Sequence, residues 1–369
     1  MMAVLTAIFW FALAISPLVF FHELGHYAMG RVFGVKADAF SIGFGKPIAK
    51  WMDKRGTEWR LGWLPLGGYV KFAGDMNAAS QPDPNAVHDP ASLHTKPVWQ
   101  RALIVAAGPL TNFLLAMIML AGLFSAFGEP RILADVGGFA PHSSAQAAGM
   151  KVGDRITAID GSRIDDFEDL AMIVQIKAGQ TLPITVERGG KSLLLMVTPV
   201  AETVKDLTGA ETRVGRIGVA PAKVDYIRPS VTELPAAAGR FTVNAVKSMA
   251  TTLWQIVSGQ RSADELGGPV KVAAASNAIA SYGWVSFLYF MVMLSINLGF
   301  INLLPIPMLD GGHLALFAAE AVRGKPVTER VQELAFRSGL ALLLAFTVFV
   351  TVNDLAGLGL FRRLAGLIG

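Results

Sequence analysis

Cysteine is absent from the 369 residues. That excludes disulfides, thiol nucleophiles and cysteine ligands, so any metal this chain binds is held by histidine and carboxylate. Charge is scarce as well: charged residues make up 16% of the chain against 53% hydrophobic, with a mean hydropathy of +0.47. Such a composition lies outside the usual range of water-soluble globular proteins. The net charge is only +4 and forms no clustered basic patch, which argues against a nucleic-acid partner.

The chain does contain long uncharged runs. Residues 3–21 carry no charged side chain, and a helix rising about 1.5 Å per residue takes such a run across most of a bilayer's hydrocarbon layer. Further runs cover 102–127, 281–309 and 338–352, the last extended on its N-terminal side by a helical stretch from Val327. Gly108-Pro109 in the second run predicts a kink or a local break. The expected fold is a polytopic α-helical membrane protein with about four transmembrane helices. A cleaved signal peptide is the competing reading of the first run, but no basic segment precedes it and cleavage would strand the residues that follow.

Those residues are Phe21-His22-Glu23-Leu24-Gly25-His26. Four apart, His22 and His26 project from one helical face and can share a metal ion, while Glu23 can take a proton from a water that the metal activates. Ionisable groups are expensive within a membrane and point to function. A catalytic zinc usually has three protein ligands, so the motif is one short. Asp310 is the strongest candidate, because Pro305 and Pro307 break the third run just before it and turn its carboxylate inward. His313 is the rival, beyond the Gly311-Gly312 turn. His88, His94 and His142 sit in loops without metal spacing and are expected to be solvated. A buried, hydrogen-bonded histidine pair remains the plainer alternative. A transporter using His22, His26 and Asp310 as a transit site is the functional one, although it leaves Glu23 without a task.

Two stretches lie between these runs. Residues 40–45 and 58–63 read as short, Gly-rich apolar strands, too short to span. They fit either a membrane re-entrant β-hairpin whose edge holds an extended substrate or a loop lying on the membrane surface. Residues 77–89 read as a mobile connector. In the segment 130–222, strands are expected at 132–136, 155–159, 182–187 and 192–197, with turns at Asp160-Gly161 and Gly189-Gly190 and a helix starting near Asp165. The run from Ser143 to Ile156, followed by Ile159-Asp160-Gly161, resembles the PDZ domains of bacterial proteases. Gly215-Arg216-Ile217-Gly218-Val219 resembles the loop with which such domains hold a peptide carboxylate. That likeness implies capture of chain ends at Gly218, or a domain that merely excludes bulky substrates.

Phe21 to His26, Gly108-Pro109-Leu110-Thr111-Asn112, Gly267-Gly268-Pro269-Val270, Ser295-Ile296-Asn297-Leu298 and Asn302 to His313 together resemble the site-2 protease family. Glu329-Arg330-Val331-Gln332 and Asn353-Asp354 also fit, and the bacterial regulator of sigma-E protease type is the nearer branch. The resemblance implies an intramembrane zinc metalloprotease with one catalytic Zn2+ held by His22, His26 and Asp310, and with Glu23 as base and then acid. It implies that Asn112 and Asn302 position substrate, although either asparagine also fits a hydrogen bond that only ties two spans together. Implied partners are the lipid bilayer, single-pass membrane substrates such as an anti-sigma factor or a remnant signal peptide, and a site-1-type protease that cuts the same substrate first. Some family members carry two tandem PDZ domains, whereas this chain has room for one.

The expected organisation is an N-terminal membrane half with the zinc motif and the re-entrant β region (1–128) and an inserted β-rich PDZ domain (129–222). A connector with amphipathic helices (223–280) and a C-terminal membrane half (281–369) complete it. Ten Lys and Arg lie between the first two runs, counting the flanking Arg31 and Arg101; Arg323, Lys325 and Arg330 lie between the last two, and none lies on the N-terminal flank. The positive-inside rule then places both loops in the cytoplasm of a bacterial inner-membrane protein. Both termini and the PDZ domain fall outside, and the active site falls toward the cytoplasmic side. Arg362-Arg363 argues for the opposite orientation.

Overall fold

A computed structural model describes residues 2–76, 89–205, 211–222, 224–259 and 267–357. The chain opens with α1 (Met2–Val32), β1 (Ala37–Met52), β2 (Glu58–Phe72) and α2 (Val98–Phe127). Its middle is β-rich, with β3 (Glu129–Ile132), β4 (Val136–Phe139), the single turn α3 (Ser144–Ala147), β5 (Arg155–Ile159) and β6 (Ser162–Arg163). Then come α4 (Phe167–Ile176), β7 (Leu182–Arg188), β8 (Lys191–Val197), β9 (Val200–Lys205), β10 (Glu211–Arg216), β11 (Val219–Pro221) and β12 (Val224–Ile227). The remainder is helical: α5 (Leu234–Val257), α6 (Pro269–Ser281), α7 (Trp284–Asn302), α8 (Asp310–Arg323) and α9 (Glu329–Gly357). The chain forms two compact units, one made mainly of the long helices with β1 and β2, the other mainly of the β-rich middle.

Among the described residues four helices are long and apolar enough to cross a membrane: Leu5–Val32 within α1, α2, α7, and Arg330–Leu355 within α9. α2 continues as one 30-residue helix through Pro109, where the sequence predicted a kink or a break. Neighbouring helices can hold a proline-interrupted helix together. The third run ends as a helix at Asn302 and not at 309, because neither Pro305 nor Pro307 can donate to a helical carbonyl and each disfavours helix in the residue before it. Ala14 and Leu18 of α1 pack on Phe287 and Met291 of α7, with Leu115 and Met119 of α2 beside them.

β1 and β2 are far longer than the short strands predicted, at 16 and 15 residues. Each folds on itself at bulges, so the two strands supply four segments. Residues 39–42 pair with 58–61 on one side and with 68–71 on the other, and 58–62 also pairs with 47–52. Gly43 and Gly45, at φ 81° and 87°, supply the left-handed backbone at the bend of β1. The sheet is fixed to the end of α1 by a cluster of Tyr27, Phe40, Val70, Phe72, Leu93 and Ile104, with Phe40 stacked on Trp59 at 4.3 Å between ring centroids. Among the described residues no strand covers the outer side of segment 64–72.

The β-rich unit centres on the sheet β6-β5-β7-β8. Val136, Ile156, Ile159, Leu170, Ile184, Val186 and Val197 form its core. Asp160-Gly161 and Gly189-Gly190 all have positive φ, as two-residue hairpin turns require. The strand expected at 132–136 is instead the junction of two: β3 pairs with β12, and β4 pairs with β11. The Arg188 guanidinium donates two hydrogen bonds to the buried Asp154 carboxylate, each 2.6 Å long. Of the predicted connector at 77–89 only Asp89 lies among the described residues, and His88 and Arg362-Arg363 lie outside them.

Candidate active site

The 3.6-residue repeat of α1 stacks His22 and His26 one turn apart. Both are buried, at 7% and 8% exposure, and their Nε2 atoms are 3.2 Å apart. Asp310 is the first residue of α8, where the exposed N–H groups of a helix start favour a carboxylate. Its Oδ2 lies 3.2 Å from His22 Nε2 and its Oδ1 lies 3.5 Å from His26 Nε2. The three ligand atoms fall within 4.8 Å of one another, and among the described residues no other trio of His, Asp or Glu side chains does so.

Glycines make this convergence possible. A Cβ on Gly108 of α2 would lie 2.2 Å from His26 Nε2, so the imidazole rests on bare backbone. A Cβ on Gly311 or Gly312 would fall within 2.4 Å of the carbonyl oxygens of the preceding turn (Leu304 O at 2.2 Å, Ile306 O at 2.4 Å). Only glycine therefore lets α8 start tightly folded against that turn, which returns Asp310 to the histidines. Met308, two residues earlier, holds φ 80°, a strained conformation of the kind that collects at functional sites.

The donor set fits a zinc ion. Two imidazole nitrogens and one carboxylate are the ligands zinc takes in catalytic sites, and they leave a position open. Asp310 Oδ2 is buried yet accepts no hydrogen bond, a costly arrangement that a cation relieves. His26 Nδ1 is 2.9 Å from the Ile104 carbonyl. That oxygen can only accept, so Nδ1 carries the proton and Nε2 presents its lone pair to the cluster.

Glu23 follows His22 on α1, and its carboxyl faces the Val70 N–H of the strand edge. A cavity of about 210 Å³ opens beside it, lined by His22, Glu23, His26, Asn302 and Asp310, with Gly68, Tyr69 and Val70 along one wall. His313 also borders the cavity, but its ring packs on Phe336 at 5.1 Å and it stands outside the ligand trio. Contrary to expectation, His94 is not simply solvated: its Nε2 lies 2.8 Å from the buried Asp75 carboxylate. His142 is exposed.

The remaining site residues from the sequence fall in three different places. Asn302, the last residue of α7, lines the cavity. Asn112 is fully buried at 0% exposure, is not among the cavity-lining residues, and sits against His22 with its amide 3.2 Å from Nδ1. Gly218 belongs to the β-rich unit, where it lines a groove of about 730 Å³ with Phe139, Ala140, Phe167 and Ile217. Sequence reasoning did not single out Ile104, Gly68 or Val70. Gly108 entered the sequence reading as a helix breaker and as part of the family resemblance, not as a contact of His26.

A family model described as peptidase family M50 matches residues 10–346. A protein of Agrobacterium fabrum, named as a candidate zinc metalloprotease, is 41% identical over 360 residues, covering 94% of this chain and 95% of its own. A similarly named protein of Mesorhizobium japonicum is 39% identical over 358 residues, covering 94% and 98%. The metalloprotease MmpA of Caulobacter vibrioides is 38% identical over 385 residues, covering 96% of each chain. Among solved structures, the PDZ domain of an SdrC-like protein of Listeria innocua aligns with 26% of this chain and 98% of its own at 22% identity. Its TM-score is 0.20, too low for that likeness to bear on the fold. With this geometry and these relatives, the chain belongs to peptidase family M50, the site-2 proteases, and is a membrane zinc metalloprotease.

Proposed function

We propose that the enzyme hydrolyses peptide bonds within or near the transmembrane segment of single-pass membrane proteins, after another protease has shortened them outside the membrane. The observation that carries this reading is the position of the cluster. His22, Glu23 and His26 sit inside a membrane-length helix, Asp310 closes on them, and their cavity opens along an uncovered strand edge.

In this reading His22, His26 and Asp310 hold one zinc ion. A zinc ion in such a site makes water nucleophilic near neutral pH and polarises a carbonyl. Glu23 takes the proton of the attacking water and returns it to the leaving amine. Asn302 donates to the substrate backbone. A peptide bond within a helix is shielded by its own hydrogen bonds, so the substrate has to be drawn out. No described strand lies on the outer side of segment 64–72, and an extended chain adds there as a further strand. The exposed Ile48, Trp51 and Trp63, at 70%, 53% and 62%, suit a hairpin that re-enters the membrane and meets lipid. The basic residues of the 33–97 loop favour the cytoplasmic side for this end of the molecule. The termini and the β-rich unit, read as PDZ-like, then lie outside the inner membrane.

Exclusion of bulky substrates is the favoured task of that unit, because a membrane-bound substrate is already confined near the enzyme and needs little extra affinity. Capture of new C-terminal ends at Gly218 is the other. An anti-sigma factor or a remnant signal peptide suits such an enzyme, with a site-1-type protease acting upstream. The test uses purified enzyme in liposomes and a single-pass substrate with or without its external domain, with products mapped by mass spectrometry. The trimmed form is expected to be cut within its span and the intact form spared. Deleting residues 132–220 should admit the intact form. Cuts confined to water-exposed segments would contradict the proposal, and loss of trimmed-substrate cleavage in a folded, zinc-loaded deletion would overturn the preference for exclusion.

A further inference from the structure

We propose that Asn112 is a positioning residue for the metal site, its side-chain oxygen accepting the Nδ1–H of His22 when zinc is bound. The inference rests on the reading of His22, His26 and Asp310 as the zinc ligands. His22 Nε2 faces His26 Nε2 at 3.2 Å and Asp310 Oδ2 at 3.2 Å, so Nε2 is the atom that offers its lone pair to the ion. In a neutral imidazole the proton then sits on Nδ1, and a buried N–H needs an acceptor.

Around His22 Nδ1 the hydrogen-bonding neighbour is the Asn112 amide, 3.2 Å away across 90 residues of sequence. Two facts about Asn112 fit the acceptor role. Its Oδ1 is buried without a partner in the arrangement where the amide nitrogen faces the ring, and half a turn about the last side-chain bond exchanges the two atoms. Its backbone is held in place, because the Ser295 hydroxyl of α7 donates to the Asn112 carbonyl at 2.8 Å. The amide thus has two settings. With its N–H on Nδ1 it stabilises the imidazole protonated at Nε2, which cannot bind metal. With its oxygen on Nδ1 it stabilises the metal-binding form. His26 has no such choice, because its partner is the Ile104 carbonyl at 2.9 Å. One ligand is therefore permanently set, and the other is set by an amide that responds to the ion. Asn112 is fully buried and absent from the cavity wall, so this role, and not contact with substrate, follows from its placement.

The experiment measures zinc dissociation constants by chelator competition on the full-length protein in detergent, for wild type, Asn112→Leu, Asn112→Asp and His26→Ala. The chelated melting temperature serves as a metal-independent check of folding. Groups that orient zinc ligands typically contribute 10–100-fold in metal affinity. Asn112→Leu is expected to weaken zinc by about that factor. Asn112→Asp retains an acceptor and has no N–H left in need of a partner, so it should stay within about threefold of wild type, well below that range. Wild-type affinity in Asn112→Leu, or a loss in Asn112→Asp as large as in Asn112→Leu, would overturn the proposal. If Asn112→Leu does not fold, the aspartate variant decides alone: a loss beyond about tenfold, within the range for ligand-orienting groups, refutes the acceptor role. Undiminished zinc binding by His26→Ala would instead refute the ligand assignment itself, so the two failures are distinguishable.

Discussion

Replacing Gly108 by alanine tests how closely the backbone of α2 fixes the proposed zinc ligands. The new Cβ would stand 2.2, 2.5 and 2.8 Å from His26 Nε2, Cε1 and Cδ2. To restore ordinary contact near 3.4 Å the ring must retreat by about 1.2 Å or the helices must separate. The first breaks the 2.9 Å bond to the Ile104 carbonyl, and the second opens the α1–α2 contact, where Gly25 is as tightly placed against Ala107 O, at 2.5 Å for its own missing Cβ. Overpacking of this kind costs roughly 1–3 kcal/mol, which corresponds to about a 5- to 150-fold loss of zinc affinity if the strain is relieved only in the metal-free state. The assay is chelator competition, with helical content followed by circular dichroism. Gly122→Ala in the same helix is the control, because nothing lies within 4 Å of its missing Cβ. There the change should leave zinc binding alone and favour the helix by up to about 1 kcal/mol. Equal zinc affinity in the two variants would refute the reasoning.

Three further outcomes are expected. Asp310→Ala should abolish stoichiometric zinc in metal analysis, whereas His313→Ala should keep it; the reverse pattern would move the third ligand to His313. Gly68→Ala would place a Cβ 2.8 Å from Ser41 O and 3.2 Å from Glu23 Cγ, so kcat/KM should fall by about 10- to 100-fold with zinc retained, as read in the liposome assay. In the β-rich unit the Arg188 guanidinium, with the Lys151 N–H, holds the Asp154 carboxyl below the usual carboxylate range. A depressed native value stabilises above the unfolded value near 3.9 and is lost as pH falls through the native one. Hydrogen exchange in strands 182–197 should therefore show Asp154→Asn opening more readily than wild type at pH 7, with the gap closing toward pH 3; a gap independent of pH would contradict this.

Much of the membrane-length architecture was legible because uncharged runs of 15 residues or more have few other uses. The i, i+4 histidines were legible for a geometric reason, and Asp310 because prolines and glycines announce a chain reversal. The rest depended on packing between distant residues. That Gly108 serves as a seat for His26 is invisible without the other helix, and alone it read as a breaker. Whether Asn112 faces the cavity or the back of His22 depends on how α2 is rotated against α1, which local periodicity does not set. β1 and β2 were cut short because their bulges interrupt the alternation that marks strands. β3 and β4 were merged because Ala134, Gly137 and Gly138 offer little pattern of their own.

The most direct test of the account is Glu23→Gln in purified, zinc-loaded enzyme. Glutamine keeps the size of the side chain and an oxygen for the Val70 N–H, but it cannot accept a proton from water. Zinc content should equal that of wild type, and cleavage of a trimmed single-pass substrate should fall by at least about 100-fold. Turnover close to wild type with zinc in place would contradict the assignment of Glu23 as the base, and with it the mechanism built on this cluster.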